Sequence, residues 1–553
     1  MSAPAASPGA VPGGAASPRA SEFRHPVAFW AGVVACAAGV ALHLPMYYSA
    51  RTMGYRMAGM HPDAAMITGM ALIGAGLVAG LYGLMPAGAG AIQERAARIR
   101  VRALDDAPIR PQHVALLMIM AIAITIDVMK PTTLSFVAPG MAREYGLKSA
   151  LTPHGHIPVS LLPLAGIGGT VLGSWLWGWL GDRIGRRASI IFAGLLFVTT
   201  SICGAMPGFS WNLLMCFFMG IGVGGMLPIA FTLMAETIPA RHRGWLMVLI
   251  GGDVAGAYVI TSWLAGALTP HYSWRIMWLI GLPTGLLFIG LNHAIPESPR
   301  YLLAAGQPDA AEDIMRRFGA LATTAPEEDA DAAQGGARDS FRRMFTGSLL
   351  RSGVAIAILA MGVGFVTYGF QLWIPTNLQH LGFRSVNSDY ILRNAAVIGL
   401  PLTFVVAWMY GFWSSRKTIV TVCGLVVVTL AWFAVAGDSL ARNHALLTAL
   451  LVIPIAGISS AAAVVATYAT EIYPTRVRSR GAGLAAGLTK VGGVLVIALV
   501  VVATTTPSIA VTALIGATPL LVGIIVLGWV GPETKRRRLE EITRTEFALP
   551  DRV

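Results

Sequence analysis

Charge is scarce in this 553-residue chain: only 12% of its residues are Asp, Glu, Lys or Arg, against about 25% in soluble globular proteins. With 55% hydrophobic residues, that shortage excludes a disordered protein and an ordinary soluble enzyme. Cysteine is scarce as well. The four cysteines, Cys36, Cys203, Cys216 and Cys423, all lie in apolar runs and form no CxxC pair, which excludes a disulfide scaffold and leaves no redox motif. No nucleophile–base pair or metal-ligand spacing is present, so neither an enzyme, a metal site nor a cofactor is expected. Lysine is nearly absent, 5 against 35 Arg, while glycine reaches 63; this is the composition of a GC-rich bacterial gene.

What is abundant is apolar sequence. Runs long enough to cross a bilayer recur along the chain, near 26–45, 64–87, 113–139, 157–180, 188–207, 211–236, 245–268, 274–295, 350–378, 391–414, 418–437, 443–470, 481–504 and 508–530. The net charge of +13 is not a nucleic-acid signal, because the arginines cluster in alternate short loops. Placing the N-terminus inside puts 30 basic residues in cytoplasmic segments and eight outside, as the positive-inside rule requires. The expectation is an all-α protein of fourteen transmembrane helices in a bacterial inner membrane, with both termini cytoplasmic. Cys36 follows a short lipoprotein-like box, but the apolar run continues past it, so it reads as part of a spanning helix.

Two loops repeat. Glu236-Thr-Ile-Pro-Ala-Arg241-His-Arg243 and Glu471-Ile-Tyr-Pro-Thr-Arg476-Val-Arg478 both read ExxPxRxR, 235 residues apart. The same offset carries the span starting at 113 to 348, Asp182 to the basic loop at 417, and Glu297 of Pro-Glu-Ser-Pro-Arg300 to within one residue of Glu533. The chain therefore divides into a disordered tail (1–25), two added helices (26–87), a basic linker (88–112), a six-helix half (113–300), a connector (301–348), a second six-helix half (349–531) and a tail (532–553). Parallel six-helix repeats with a site between them at mid-membrane are a transporter architecture. The added pair is a candidate for self-association or partner binding, and nothing in its sequence chooses a role.

Gly178-Trp-Leu-Gly-Asp182-Arg183-Ile-Gly185-Arg186-Arg187 resembles the loop signature of the major facilitator superfamily. The repeated ExxPxRxR, Pro-Glu297-Ser-Pro-Arg300 and Pro-Glu533-Thr-Lys resemble its sugar-porter-like branch. The resemblance covers roughly 113–545 and implies alternating access, with Gly178, Asp182, Arg183, Gly185, Arg186, Arg187, Glu236, Arg241, Arg243, Glu297, Arg300, Glu471, Arg476 and Arg478 forming a cytoplasmic latch. The seventh core helix, with Tyr368, Gln371 and Trp373, has one glutamine where sugar porters have a pair. That helix, Phe136-Val-Ala-Pro139 and the glycine-rich stretch 220–228 are closer to aromatic-acid and organic-ion relatives.

Ionisable residues at bilayer depth are functional candidates, costing about 2.5–3.5 kcal/mol each on insertion scales. Asp127 and Lys130 stand at i and i+3 and are expected to pair; Lys490 and Asp253 occupy nearly equivalent repeat positions. Resemblance makes Asp127 the proton carrier and gives Lys490 an anion-facing role, and Asp253 is a second proton-site candidate. Lys130 departs from the family's pattern and either binds a substrate carboxylate or neutralises Asp127 and disables coupling; Tyr368, Gln371 and Trp373 are candidate cavity residues. The expected function is secondary active transport by proton-coupled symport of a small organic or aromatic carboxylate. The alternatives are a sugar or polyol porter, an organic cation or drug antiporter, and a non-transporting membrane sensor. The expected partners are substrate, protons and the lipid bilayer. His154 and His156 read as an ordinary outer loop.

Overall fold

The computed structural model describes residues 24–86, 88–100, 104, 107–291, 294–320, 327–328, 347–473, 478–503 and 508–534. Apart from a two-residue strand pair (Ile99–Arg100 with Glu327–Glu328), the described residues form helices and their connections. Among the described residues thirteen helices are long and apolar enough to span a membrane. They are α1 (Pro26–Met53), α2 (Ala64–Leu84), α3 (Pro111–Tyr145), α4 (Leu161–Gly181), α5 (Arg186–Ala205), α6 (Phe209–Met234), α7 (Arg241–Tyr272), α9 (Leu350–His380), α10 (Ser385–Trp413), α11 (Ser415–Leu440), α12 (His444–Ile472), α13 (Gly483–Val502) and α14 (Ile509–Val530). The predicted eighth span is the shorter apolar helix α8 (Ile276–Leu291).

Local chemistry sets the ends. Proline occupies the first position of α1 and α3, where its missing N–H is no loss. Asp63 caps α2 by accepting Met66 N at 2.8 Å, and Gly146 stops α3 in the left-handed conformation. Helix α9 is not regular. A π-turn (Val366–Phe370) and a 3₁₀ turn (Gln371–Trp373) precede Pro375, and π-turns also interrupt α10 at Met409–Trp413 and α12 at Ile453–Gly457.

Two six-helix halves result, α3–α8 and α9–α14. Within them α4 packs on α6, α5 on α8, α9 on α13 and α14, and α12 on α13. Between them α7 packs on α10 and α4 on α13. The 235-residue offset maps α4 onto α10 and α7 onto α13, so these two crossings are copies of each other. Helix Ala89–Arg98, inside the segment read as a linker, packs on α4 and on Pro299–Ala304.

The added helices form a hairpin closed by glycines at seven-residue spacing. A β-carbon at Gly32 would lie 2.6 Å from Gly76 O, and one at Gly39 2.6 Å from Gly69 O, so only glycine permits this approach. The hairpin packs on α5, and its loop is held by one carboxylate. Glu144 accepts Met57 N (2.8 Å), Ala58 N (3.1 Å) and Trp274 Nε1 (2.8 Å), and pairs with Arg275 at 2.6 Å. Arg275 also donates to Met206 O and the Tyr145 hydroxyl.

Glu144→Ala would strand the fully buried Arg275 guanidinium, a loss of about 3–5 kcal/mol. The purified variant is expected to melt well below wild type in detergent, whereas Glu312→Ala, which breaks the exposed Arg316 pair, should leave the midpoint within about 0.5 kcal/mol equivalent.

Candidate functional site

The crossing of the two halves brings ionisable residues together at mid-chain depth. Asp127 of α3 is fully buried, and neither carboxylate oxygen has a hydrogen-bond partner among the described residues. The charge that acts on it is Lys490 of α13, in the opposite half. Tyr368, at the π-turn of α9, also interacts electrostatically with Asp127, and its ring packs on Gly493. Lys490 Nζ donates to Gly224 O at 2.7 Å and to the Ser174 hydroxyl, both in the first half. Asp253 of α7 accepts the Thr125 hydroxyl of α3, two residues before Asp127. Gln371 and Trp373 are buried on α9, and the Trp373 indole N–H has no acceptor among the described residues.

The expected pairing of Asp127 with Lys130 is corrected by this geometry. Lys130 turns into the bundle of its own half, where Nζ donates to Phe197 O at 3.3 Å and sits 6.0 Å from the Phe197 ring centre. Its electrostatic neighbours are Cys203 and Cys216. Residues i and i+3 lie about 60° apart around a helix, enough for one to face the opposite half while the other faces α5, α6 and α8.

At the arginine-rich end the two repeats build the same device twice. In the first half Glu297 accepts the backbone N–H groups of Arg186 (2.8 Å), Arg187 (3.2 Å) and Ser298 (2.9 Å), capping the start of α5. Ser298 donates to Glu236, which pairs with Arg186 at 3.8 Å. In the second half Glu533 accepts Ser415 N at 2.8 Å and the Ser414 hydroxyl, capping α11. Thr534 and Tyr410 each donate to Glu471 at 2.6 Å. The halves meet here too: Arg243 acts electrostatically on Glu471, and a β-carbon at Gly244 would lie 2.7 Å from its carboxylate. At the other end Arg143 donates to Gln379 across the halves at 2.9 Å.

Arg183 stacks 4.0 Å over the Trp179 ring. Gly185 takes φ +98 at the start of α5, Arg300 is half-buried and Arg241 is exposed. Arg476 lies outside the described residues, as do the side chains of Gly178, Asp182 and Arg478.

Two polar groups were not anticipated. Ser174, the acceptor for Lys490, is one serine in an apolar run. Asp389 is buried at the α10–α7 crossing and acts on the Tyr258 hydroxyl; it stands two residues before the span predicted at 391–414, and extending that span would have placed it in the membrane.

The family described as sugar (and other) transporter matches residues 137–545; residues 26–87 and Asp127 precede the match. The chain is similar to the niacin transporter NiaP of Acinetobacter baylyi, 27% identical over 401 residues that cover 71% of this chain and 88% of that one. It is also similar to the 4-hydroxybenzoate transporter PcaK of the same species, at 22% identity, covering 71% and 85%. Among solved structures it resembles the proton:xylose symporter XylE, with a TM-score of 0.60 at 18% identity, covering 79% of this chain and 99% of that one.

Burial pushes Glu297 up to about 7, against the pull of the Ser298 and Arg186 N–H groups and the Arg186 guanidinium. A carboxyl raised on folding stabilises the fold while it is protonated, and that contribution is lost as pH rises from its ordinary 4.5 through about 7. The wild-type melting midpoint should therefore fall across that window, and Glu297→Gln should flatten the slope.

Proposed function

This chain belongs to the sugar (and other) transporter family of the major facilitator fold, a multi-pass membrane transporter and not an enzyme, and from that premise we propose that it carries a small organic or aromatic carboxylate together with a proton across a bacterial inner membrane. The observation that carries the reading is the placement of Asp127 at the middle of α3, its carboxylate accepting no hydrogen bond among the described residues and lying in the field of Lys490 from the other half.

A closed site in low dielectric must be close to neutral, because an unpaired charge at that depth costs several kcal/mol. Without substrate, the Asp127–Lys490 pair is neutral with Asp127 ionised and Lys490 protonated, Asp253 being held apart on the Thr125 hydroxyl. Loaded with a carboxylate on Lys490, it is neutral only if Asp127 has taken a proton. Binding either ligand alone leaves one uncompensated charge and opposes closure. Coupling of one proton to one anion then follows from charge balance.

The relatives' names fit: niacin and 4-hydroxybenzoate are both ring carboxylates. A sugar or polyol would leave Lys490 without a counter-ion from the substrate, and an organic cation would be repelled by it. Tyr368, Gln371 and Trp373 supply aromatic and amide surface for a planar ring. Asp253 serves as a second acidic group near Thr125, and Lys130, held inside its own half, takes no part. The latch at the cytoplasmic end consists of the Arg186–Glu236–Ser298 cluster, the two capping carboxylates Glu297 and Glu533, and the cross-half approach of Arg243 to Glu471.

The test is uptake of labelled nicotinate and 4-hydroxybenzoate into proteoliposomes, corrected for protein-free liposomes. One-proton, one-anion symport is electroneutral, so one unit of inward pH gradient should drive up to about tenfold accumulation and an imposed membrane potential should change it little. Asp127→Asn should abolish the gradient response, and Lys490→Gln should abolish uptake. Uptake indifferent to the gradient in wild type would reject symport; absence of uptake of any ring carboxylate by folded protein would reject the substrate class.

A further inference from the structure

Lys490 makes no hydrogen bond to Asp127. Its ammonium is seated on the first half, on Gly224 O at 2.7 Å and on the Ser174 hydroxyl. The seat is built for a cation. The Ser174 hydroxyl lies within donating distance of two backbone oxygens, Thr170 O (2.8 Å) and Gly224 O (2.7 Å). Its one proton is thus spent on a carbonyl and its lone pairs face the lysine. Gly224 is required for the carbonyl to come so near: a β-carbon there would lie 2.7 Å from Ser174 N. Helices α4 and α6 present two acceptors and no acid, so the seat holds Lys490 by hydrogen bonds while its charge is balanced through space by Asp127.

The geometry points to a second role for this seat: Ser174 is a positioning residue that parks Lys490 when no substrate is bound, tying α13 to α4 so that the two halves can close and the unloaded carrier can return. The inference rests on the carboxylate reading above, in which an arriving substrate anion draws Lys490 off the seat. A carrier that loses the seat still loads and still crosses with substrate, because the substrate then satisfies the lysine. Only the return without substrate, when Lys490 would be left short of acceptors at mid-membrane, is impeded. A charge-assisted hydrogen bond of this kind is worth about one decade in an equilibrium or rate.

The test compares two transport modes in the same proteoliposomes. Net uptake requires the empty carrier to return; exchange of labelled for unlabelled nicotinate across the membrane does not. Ser174→Ala is expected to lower net uptake about tenfold while exchange falls less than twofold, and Ser174→Thr, which keeps the hydroxyl, is expected to restore net uptake. Equal loss of both modes would assign Ser174 a general packing role and overturn the inference, as would no change in either. A second measurement does not depend on substrate identity or on the behaviour of the alanine variant. A Ser174→Cys variant that keeps Lys490 and has the four native cysteines replaced, once cleaved in the connector between the halves, should be held together by a short amine-to-thiol cross-linker applied without substrate. Absence of that cross-link in folded protein overturns the seat. Its presence alongside wild-type protein that carries no ring carboxylate would keep the seat and reject the substrate reading instead.

Discussion

Charge neutrality at mid-membrane is the constraint on which the rest of this structure depends. Asp127 and Lys490 belong to different halves, and each lowers the cost of burying the other's charge. The halves must therefore come close enough for one charge to act on the other, and the crossings of α4 with α13 and α7 with α10 do this. Glycine makes the approach possible where it matters most, at Gly224, whose carbonyl meets Lys490. A bulkier residue there would push α6 from α4 and remove the lysine's acceptors. Packing and electrostatics are in this sense one problem, and on the proposed reading the same close approach of the halves lets a proton and an anion replace one another's charge.

The arginine-rich end solves a second problem, how to fasten helix ends that must remain separable. Each half uses a carboxylate to cap a helix N-terminus, Glu297 on α5 and Glu533 on α11, where backbone N–H groups have no partner of their own. Each uses a second carboxylate, Glu236 or Glu471, bound by the hydroxyl next to the first. The copies diverge in their third member. Glu236 has the Arg186 guanidinium, whereas Glu471 has the Tyr410 hydroxyl and lies within the field of Arg243 from the other half. The first half is thus closed on itself by charge, and the second keeps an acid that an arginine across the interface can hold or release.

Much of this was legible in the sequence, for physical reasons. Membrane spans are read from apolar length alone, and the repeat is visible because ExxPxRxR and the Pro-Glu motifs recur at offsets that agree to within one residue; those motifs form the capping clusters. Asp127 and Lys490 stood out because ionisable residues are rare in apolar runs. Their mutual influence was not legible, since they stand 363 positions apart and are brought near by how two halves dock. Helical spacing offered Lys130 instead, and spacing says only that two side chains are within reach, not which neighbour each will face. Ser174 was invisible for a related reason: a serine in a membrane helix usually satisfies itself on a carbonyl one turn back, as this one also does, and only the docked lysine distinguishes it.

The added hairpin bears on how the halves can move. Its helices pack on each other and on α5, its loop is held by Glu144, and the Tyr47 hydroxyl donates to Tyr272 O at 2.8 Å. All of these anchors lie in the first half. A hairpin bridging the halves would have to break contacts at each turn of the cycle, with its glycine interface as part of the barrier. Fastened to one half, it can ride as part of a rigid body while the other half rocks. Glu144 draws together the ends of α3 and α7, the start of α8 and the hairpin loop, and through Arg275 the carbonyls that follow α5. It stiffens the rim of the Asp127 half at the end opposite the arginine-rich loops. On the proposed cycle Asp127 travels with its own half, and Lys490, which belongs to the other half but is seated on this one, is the group whose acceptors change.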